Sequence, residues 1–333
     1  MPPNASFRVI ALRLAVEQGS VDVIAFGFGL CTWTEEEQMG AAEMIRSSAA
    51  ELREAGIETP EHDAKLLFAE AAGSGVELRD VDKALLMGDD IAYDADRFRS
   101  MLERRARREP LQYIVGHAPF RYLDLKVGPG VFIPRPETET VVQAGIDWIT
   151  RNRLYAPRVV DLCAGSGAIG LSVVSEVRGA EVWAVELSAE AYAWTERNYR
   201  AVAGRDPAAG YNYHLEHGDA TSPLTLPQLD GTIDIVISNP PYIPLAQIPE
   251  QPEVRDHDPA LALYGGSADG AAIPERIILR AAALLRRGGV LVMEHDISQS
   301  DRLAAFAQTN GFAQVHTGDD WTGRPRYLFA ERG

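Results

Sequence analysis

Short apolar segments alternate with longer segments of helical spacing beyond Thr138, and this alternation constrains the fold more than any other feature. Seven of these segments are predicted as strands: residues 159–162, 182–186, 213–216, 233–237, 290–294, 313–316 and 327–330. Strands separated by helices pack as a mostly parallel sheet with helices on both faces. No helical segment separates the last two strands, so one antiparallel strand is expected. The predicted fold class is α/β, with a Rossmann-like, doubly wound sheet.

A proline-stiffened turn, Asn239-Pro240-Pro241-Tyr242, directly follows the fourth predicted strand. Proline has no N–H for a sheet ladder, so the strand ends at the edge where open α/β sheets bind ligands. The Asn239 side-chain oxygen and the Pro240 carbonyl oxygen can each accept one hydrogen of a planar NH2 group, and the Tyr242 ring can stack on it. Because such a nitrogen is a poor nucleophile, orientation and charge stabilisation must carry the catalysis. The turn therefore predicts methylation of a planar amide or amine.

A glycine-rich turn, residues 165–170, follows the first predicted strand and precedes a helix. It satisfies the pattern G-x-G-x-x-G, and Glu186 ends the next strand at about the twenty-residue distance of a dinucleotide fingerprint. Nicotinamide dinucleotides and S-adenosylmethionine both place an adenosine ribose on an acidic residue at this position. The glycine turn alone therefore leaves a dehydrogenase and a methyltransferase open.

Two features favour S-adenosylmethionine over a dinucleotide. Asp161, before the glycines, can face a cationic ammonium or sulfonium group but would repel a pyrophosphate. The Asn239 turn has a role in amine methylation and none in hydride transfer. Asp219 and Ala220 follow the third strand, where a carboxylate is expected near the adenine amino group. The alternative for Asp219 is a solvated turn residue.

Three separated motifs resemble those of the PrmC/HemK family of peptide chain release factor N5-glutamine methyltransferases. Residues 108–116 (Arg-Glu-Pro-Leu-Gln-Tyr-Ile-Val-Gly) are similar to the family's interdomain segment, and residues 133–139 (Ile-Pro-Arg-Pro-Glu-Thr-Glu) to its most distinctive signature. Residues 239–242 complete the set. The resemblance extends over roughly residues 40–333.

The resemblance implies a class I fold of S-adenosyl-L-methionine-dependent methyltransferases, preceded by a small α-helical domain. The implied reaction is methylation of the glutamine side-chain amide in the Gly-Gly-Gln motif of class I peptide chain release factors. The catalytic residues are expected to be Asn239, Pro240 and Tyr242, and the substrate-binding residues Asn239, Pro240, Pro241 and Tyr242. The expected cofactor-binding residues are Asp161, Cys163, Ala164, Gly165, Ser166, Gly167, Glu186, Asp219, Ala220 and Asn239.

Two positions depart from the family pattern. Glu186 stands where aspartate is commoner, which gives a longer reach to the same ribose hydroxyls. Glu294-His295-Asp296-Ile297 stands where Glu-Ile-Gly is expected, so bulk and charge replace a glycine after the fifth strand. His295 and Asp296 are therefore left out of the predicted site. Arg135 is left out as well, because an ion pair with Glu139 that supports the linker explains it equally well.

Four regions are predicted along the chain. Residues 1–38 are an N-terminal extension of unknown role, and residues 39–110 have the apolar spacing of a helical domain that is expected to recognise the substrate. Residues 111–136 alternate and turn at glycines and prolines, as expected for a β-hairpin linker. Residues 137–333 form the methyltransferase domain.

A formal net charge of −16 argues against stable nucleic-acid binding. The basic run at residues 104–108 is more typical of salt bridges on a helix. Two cysteines without metal-ligand spacing indicate no metal site and fit a reducing cytoplasm, and no segment is apolar enough to span a membrane. The alternatives are a glutamine methyltransferase for a ribosomal protein and a DNA or RNA amino-group methyltransferase.

Overall fold

Five helices begin the part of the chain that the computed structural model describes, residues 40–333. They are α1 (Ala41–Glu54), α2 (Pro60–Ala72), α3 (Leu78–Met87), α4 (Ala95–Ala106) and α5 (Leu111–Val115). Their apolar residues recur at helical spacing and pack together, with Leu52, Leu67, Phe68 and Phe98 fully buried. The predicted extension at residues 1–38 lies outside the described residues.

A two-stranded hairpin, β1 (His117–Phe120) and β2 (Leu123–Lys126), follows the helices. The first residues of the segment predicted as a hairpin linker differ, because Leu111–Val115 form the helical turn α5. Pro110 lies at the N-cap of this turn, and Gly116, at φ 82°, ends it in the left-handed conformation. These flanking residues make the local geometry helical although the apolar residues of the segment alternate.

A seven-stranded sheet forms the centre of the remaining chain. Its strands are β3 (Arg158–Leu162), β4 (Glu181–Glu186), β5 (Tyr213–His217), β6 (Ile233–Ser238), β7 (Leu285–Glu294), β8 (Phe312–Asp319) and β9 (Pro325–Arg332). Their spatial order is β5-β4-β3-β6-β7-β9-β8, and β9 alone runs antiparallel to its neighbours. The predicted fold class is confirmed: a mostly parallel, doubly wound sheet with one antiparallel strand.

Helices cover both faces of this sheet. The helices after the hairpin are α6 (Pro136–Arg151), α7 (Ala168–Glu176), α8 (Ala189–Arg205), α9 (Pro207–Tyr211), α10 (Pro252–His257), α11 (Ala260–Leu263), α12 (Ala272–Leu284) and α13 (Ser300–Thr309). The short helices α10 and α11 lie in the segment between β6 and α12, and the others pack on the sheet. Alternate strand residues point to opposite faces, so Val159 packs into the core on the side of α6 and α7 while Val160 packs against α12 and α13. The interiors of the central strands are therefore mainly apolar, with Asp161 in β3 as a buried exception, and polar residues that face the cavity collect at the strand ends.

The order of the strands reverses at β3, whose neighbours are β4 and β6. In open α/β sheets, ligands bind in the crevice at this switch point, outside the carboxyl ends of the strands. Cys163, Glu186 and Asn239 all lie at those ends. Within residues 40–333, no helix combines the length and apolar character needed to cross a bilayer.

Candidate functional site

A cavity of about 560 Å³ opens at this switch point. Residues that follow five different strands line it: Cys163 to Ser166 after β3, Glu186 to Ser188 at the end of β4, Asp219 to Thr221 after β5, Asn239, Pro241 and Tyr242 after β6, and Glu294 at the end of β7. Its volume is in the range of small-molecule sites. The structure thus brings most of the predicted cofactor and substrate residues to one place.

The glycine turn after β3 uses the left-handed backbone region, which glycine adopts freely and which is strained only at Cys163. Cys163, Gly165 and Gly167 have φ values of 72°, 59° and 85°. Helix α8 fixes the turn from behind, because the Thr195 hydroxyl donates to the Gly165 carbonyl at 2.6 Å and the Asn198 amide donates to the Ser166 carbonyl at 2.9 Å. A Cβ built on Gly165 meets no atom within 4 Å, so this part of the turn borders open space. A ligand can therefore approach its backbone closely.

Glu186 faces the cavity from the end of β4, with a relative exposure of only 8%. Its two carboxylate oxygens each accept one backbone hydrogen bond, from Gly165 N–H at 2.8 Å and from Ser188 N–H at 2.7 Å. Desolvation raises the pKa of Glu186, and these two hydrogen bonds oppose the rise. The remaining lone pairs suit a ligand with two adjacent hydroxyl donors, so the residues present fit the ribose of an adenosyl cofactor.

Asp161 does not line the cavity. Its side chain is fully buried on the α7 side of the sheet, where Oδ2 accepts a hydrogen bond from Gly170 N–H at 2.9 Å and Oδ1 has no partner within residues 40–333. Desolvation raises the pKa of Asp161 to about 7. Strand alternation explains the orientation, since Val160 and Leu162 face the opposite helices. The structure therefore places Asp161 against the start of α7 and away from the space for a ligand.

Of the other predicted cofactor residues, Asp219 and Ala220 line the cavity and Gly167 does not. Asp219 and Ala220 line the far side of the cavity, where Asp219 Oδ1 accepts from the N–H and the hydroxyl of Thr221 at 2.8 and 2.7 Å. Gly167 lies behind the turn, where a Cβ would come within 2.8 Å of Leu171. The turn packs closely on its helix, so position 167 has no room for a side chain and requires glycine.

The Asn239 turn borders the same cavity on the side of β6. The Asn239 Nδ2 atom donates to the Thr138 hydroxyl at 3.2 Å, and the Tyr242 hydroxyl donates to Glu294 Oε1 at 3.0 Å. Pro240 is buried and does not contribute a surface to the cavity, whereas Pro241 does. Among the described residues no hydrogen bond reaches Asn239 Oδ1. This oxygen is therefore available as an acceptor at the β6 side of the cavity.

The segment after the turn folds back over the cavity. Tyr242 N–H and Ile243 N–H both donate to the Leu263 carbonyl, at 3.1 and 2.8 Å. The Gln299 Nε2 atom donates to the carbonyls of Tyr242 and Asp269, each at 2.9 Å. The backbone of Tyr242 is therefore held on two sides, and its ring is fixed at the edge of the cavity.

His295 and Asp296, which form the second departure from the family pattern, have local structural roles. His295 is fully buried, its Nδ1 atom lies 2.8 Å from the Asp296 carbonyl, and its Nε2 atom has no partner in the described part of the chain. Desolvation lowers its pKa. Asp296 caps the short helical turn that follows β7, accepting from Ser298 N–H at 2.9 Å. Neither residue lines the cavity.

Arg135 forms an ion pair, but its partner is Asp258 at 2.6 Å instead of Glu139. Glu139 accepts a hydrogen bond from Arg121 N–H at 3.1 Å. Desolvation raises the pKa of Asp258 to about 6, and the Arg135 guanidinium opposes that rise. The ion pair ties the segment before α6 to the segment after α10, two parts of the cavity wall.

The basic run on α4 is engaged inside the protein. Its ion pairs join Arg104 to Glu109, Arg105 to Asp63 and Glu253, and Arg108 to Glu253. Arg105 is nearly buried. Arg105 and Arg108 thus connect the helical region to α10, and of the run only Arg107 is exposed.

Desolvation, reinforced by the carboxylates of Glu186 and Asp161, raises the pKa of the Cys163 thiol. A thiolate is therefore disfavoured at this position. Among residues 40–333, no group of three or more histidine, cysteine, aspartate or glutamate side chains is arranged to hold a metal ion.

Thr138, Glu294 and Gln299 were not among the predicted site residues. A signal for Thr138 was present, since it lies inside the signature at residues 133–139. Glu294 could also have been recognised, because it ends β7, the strand that pairs with the strand before Asn239. The wall formed by Gln251, Val254 and residues 259–263 carried no recognisable motif.

The chain is similar to proteins of known activity. Residues 43–116 match the family model described as the PrmC N-terminal domain, and residues 112–254 match the model described as conserved hypothetical protein 95. A release factor glutamine methyltransferase of Bifidobacterium longum is 70% identical over 86% of this chain and 98% of its own length. The enzyme of the same name from Streptomyces coelicolor is 42% identical over 86% of this chain and 96% of its own. Among solved structures, the ribosomal protein L11 methylase of Lactobacillus delbrueckii subsp. bulgaricus is 18% identical with a TM-score of 0.42, covering 62% of this chain and 84% of its own.

Proposed function

The chain belongs to the release factor glutamine methyltransferase family, and we propose that it methylates the side-chain amide nitrogen, N5, of the glutamine in the Gly-Gly-Gln motif of class I peptide chain release factors. S-Adenosyl-L-methionine is the methyl donor. The observation that carries the proposal is the position of Asn239: its Nδ2 atom is committed to Thr138, and its Oδ1 atom is left as an acceptor beside the cavity that Glu186 and the glycine turn also line.

When bound, S-adenosylmethionine supplies a methyl group on a cationic sulfur, an electrophile that a neutral amide nitrogen can attack. The protein contributes to the reaction by orienting that nitrogen. Asn239 Oδ1 accepts one amide hydrogen, which directs the remaining nitrogen electrons out of the plane. The Pro240 carbonyl oxygen would accept the second hydrogen only after a shift of the turn, because Pro240 does not line the cavity. The Tyr242 ring supports the plane of the amide, and its hydroxyl is anchored on Glu294. These acceptors also stabilise the positive charge that develops on nitrogen during transfer.

On the cofactor side, Glu186 would hold the ribose hydroxyls, and Cys163 to Ser166 would surround the methionine portion. Asp219 and Ala220 would border the adenine. Asp161 would act indirectly, by fixing the start of α7 through Gly170 N–H. The helical region would recognise the substrate protein, because Arg105 and Arg108 join it to the cavity wall through Glu253.

The test of the substrate is transfer of labelled methyl groups to a purified class I release factor. We expect label on the wild-type factor and none on a factor whose Gly-Gly-Gln glutamine is alanine. Label that persists on the alanine factor would overturn the substrate assignment. The assay should include ribosomal proteins, DNA and RNA as alternative acceptors, because a turn of this kind also suits another glutamine or a nucleobase amine.

Replacing Glu186 tests the cofactor site. We expect Glu186→Ala to weaken binding of S-adenosylhomocysteine by more than about tenfold, because hydrogen bonds to a charged group are each worth roughly 1.5–3 kcal/mol. Titration calorimetry measures the affinity. Glu181→Ala, at the opposite end of the same strand, is the matched control and should bind normally. Unchanged affinity in the Glu186 variant would show that this carboxylate does not hold the ribose.

A further inference from the structure

Four side chains from three elements, the Asn239 turn, α6 and β7, form one continuous chain of hydrogen bonds beside the cavity. Asn239 Nδ2 donates to Thr138 Oγ1 at 3.2 Å, and Thr138 Oγ1 donates to Glu294 Oε2 at 2.7 Å. The Tyr242 hydroxyl donates to the other carboxylate oxygen, Oε1, at 3.0 Å. Thr138 lies in the first turn of α6 and Glu294 at the end of β7, so two distant parts of the sequence meet behind the Asn239 turn.

Because these hydrogen bonds are buried, their pattern of donors and acceptors determines how the Asn239 amide is oriented. Glu294 and Thr138 have relative exposures of only 2% and 3%, so water does not readily replace either partner. Desolvation raises the pKa of Glu294, whereas the hydrogen bonds from Thr138 and Tyr242 and the charge of Arg326 oppose that rise; the carboxylate of Glu137 adds to it. The geometry supplies one hydroxyl donor to each Glu294 oxygen, an arrangement in which a carboxylate accepts both bonds.

The carboxylate sets the direction of every other bond in the chain. Because Glu294 accepts, the Thr138 hydroxyl must use its one proton toward Glu294, and only its lone pairs remain for Asn239. The Asn239 group that meets Thr138 must then be the NH2 group. This places the carbonyl oxygen, Oδ1, on the opposite side, where a substrate NH2 group needs an acceptor.

We propose that Thr138 and Glu294 are positioning residues that fix which end of the Asn239 amide faces the substrate and thereby select a carboxamide over a carboxylate. The inference rests on the proposed role of Asn239 in binding the substrate amide. An outward Oδ1 accepts from the NH2 group of glutamine and repels the carboxylate of glutamate. Without the carboxylate of Glu294, the Thr138 hydroxyl is free to donate to Asn239 Oδ1, and the reversed amide then presents NH2 to the substrate NH2.

A double-mutant cycle tests the proposal, with transfer to the release factor as the reaction. Thr138→Val removes the hydroxyl at nearly constant volume, and we expect it to lower kcat by about 5- to 30-fold, the value of one buried hydrogen bond. Thr138→Ser keeps the hydroxyl and should restore most of that loss. In an Asn239→Ala background, Thr138→Val should cause no further loss, because its effect passes through Asn239. Affinity for S-adenosylhomocysteine should stay the same throughout.

The cycle separates failure of this inference from failure of the proposed function. Full activity in Asn239→Ala alone would contradict the proposed role of Asn239 itself. A large loss in Asn239→Ala together with wild-type activity in Thr138→Val would overturn only the positioning role. Equal losses from Thr138→Val in both backgrounds would also overturn it, since Thr138 would then act independently of Asn239. If Thr138→Val does not fold, Glu294→Gln takes its place in the same cycle, with the same expected non-additivity.

Discussion

Asn239→Ala is expected to lower turnover by roughly two to three orders of magnitude while binding of the cofactor largely survives, because it removes a preorganised acceptor at the reacting nitrogen. The side chain contributes to the site through Oδ1, and its Nδ2 atom is already used by Thr138. The glycine turn and Glu186 make their hydrogen bonds independently of Asn239. Turnover should therefore fall without a matching loss of cofactor affinity.

The measurement is single-turnover methyl transfer by enzyme saturated with cofactor, with saturation verified by calorimetry. Asn152→Ala is the matched control, because Asn152 lies at the opposite end of the helix that carries Thr138 and its side chain donates to the Trp148 carbonyl at 2.9 Å. It should retain normal turnover. Normal turnover by cofactor-bound Asn239→Ala enzyme would remove this side chain from the mechanism.

The strands were predictable because short apolar runs that alternate with longer segments of helical spacing leave few alternatives. All seven appear in the sheet, and each extends one or more residues beyond the predicted range. The helical turn α5 was not predicted, because the flanking residues Pro110 and Gly116 decide its conformation while the apolar pattern suggests a strand. Local backbone geometry here outweighed periodicity.

The candidate site was predictable only in part. Residues that follow strands were assigned to the cavity edge because the topology requires it, and most of them line the cavity. Asp161 shows the limit of this approach, since its position next to the glycines suggested a ligand contact while strand alternation points it at α7. The pairing of Thr138 with Glu294 joins residues 156 positions apart, which local spacing does not reveal.

The backbone behind Tyr242 gives the second large expected effect. A Cβ built on Gly270 would overlap the Tyr242 carbonyl oxygen and lie 2.8 Å from the Ile243 carbonyl carbon, and Gly270 has φ 72°. Gly270→Ala must therefore displace the Tyr242 backbone, which Gln299 otherwise holds at 2.9 Å. Since a shift of about 1 Å in a positioning group can cost roughly a hundredfold in rate, we expect at least that loss in methyl transfer. Stability should also fall, by about 2–4 kcal/mol from backbone strain and overlap.

Gly323→Ala separates the two causes of that loss. Gly323 has φ 76°, so alanine there carries the same backbone strain, but a Cβ meets no atom within 4 Å. We expect this control to lose about 1–2 kcal/mol of stability and to keep its rate per folded molecule. Thermal unfolding and single-turnover transfer on both variants supply the comparison. If folded Gly270→Ala enzyme transferred methyl groups as fast as Gly323→Ala enzyme, the position of the Tyr242 backbone would not matter for the reaction, and the amide plane would have to be held by Asn239 and Pro240 alone.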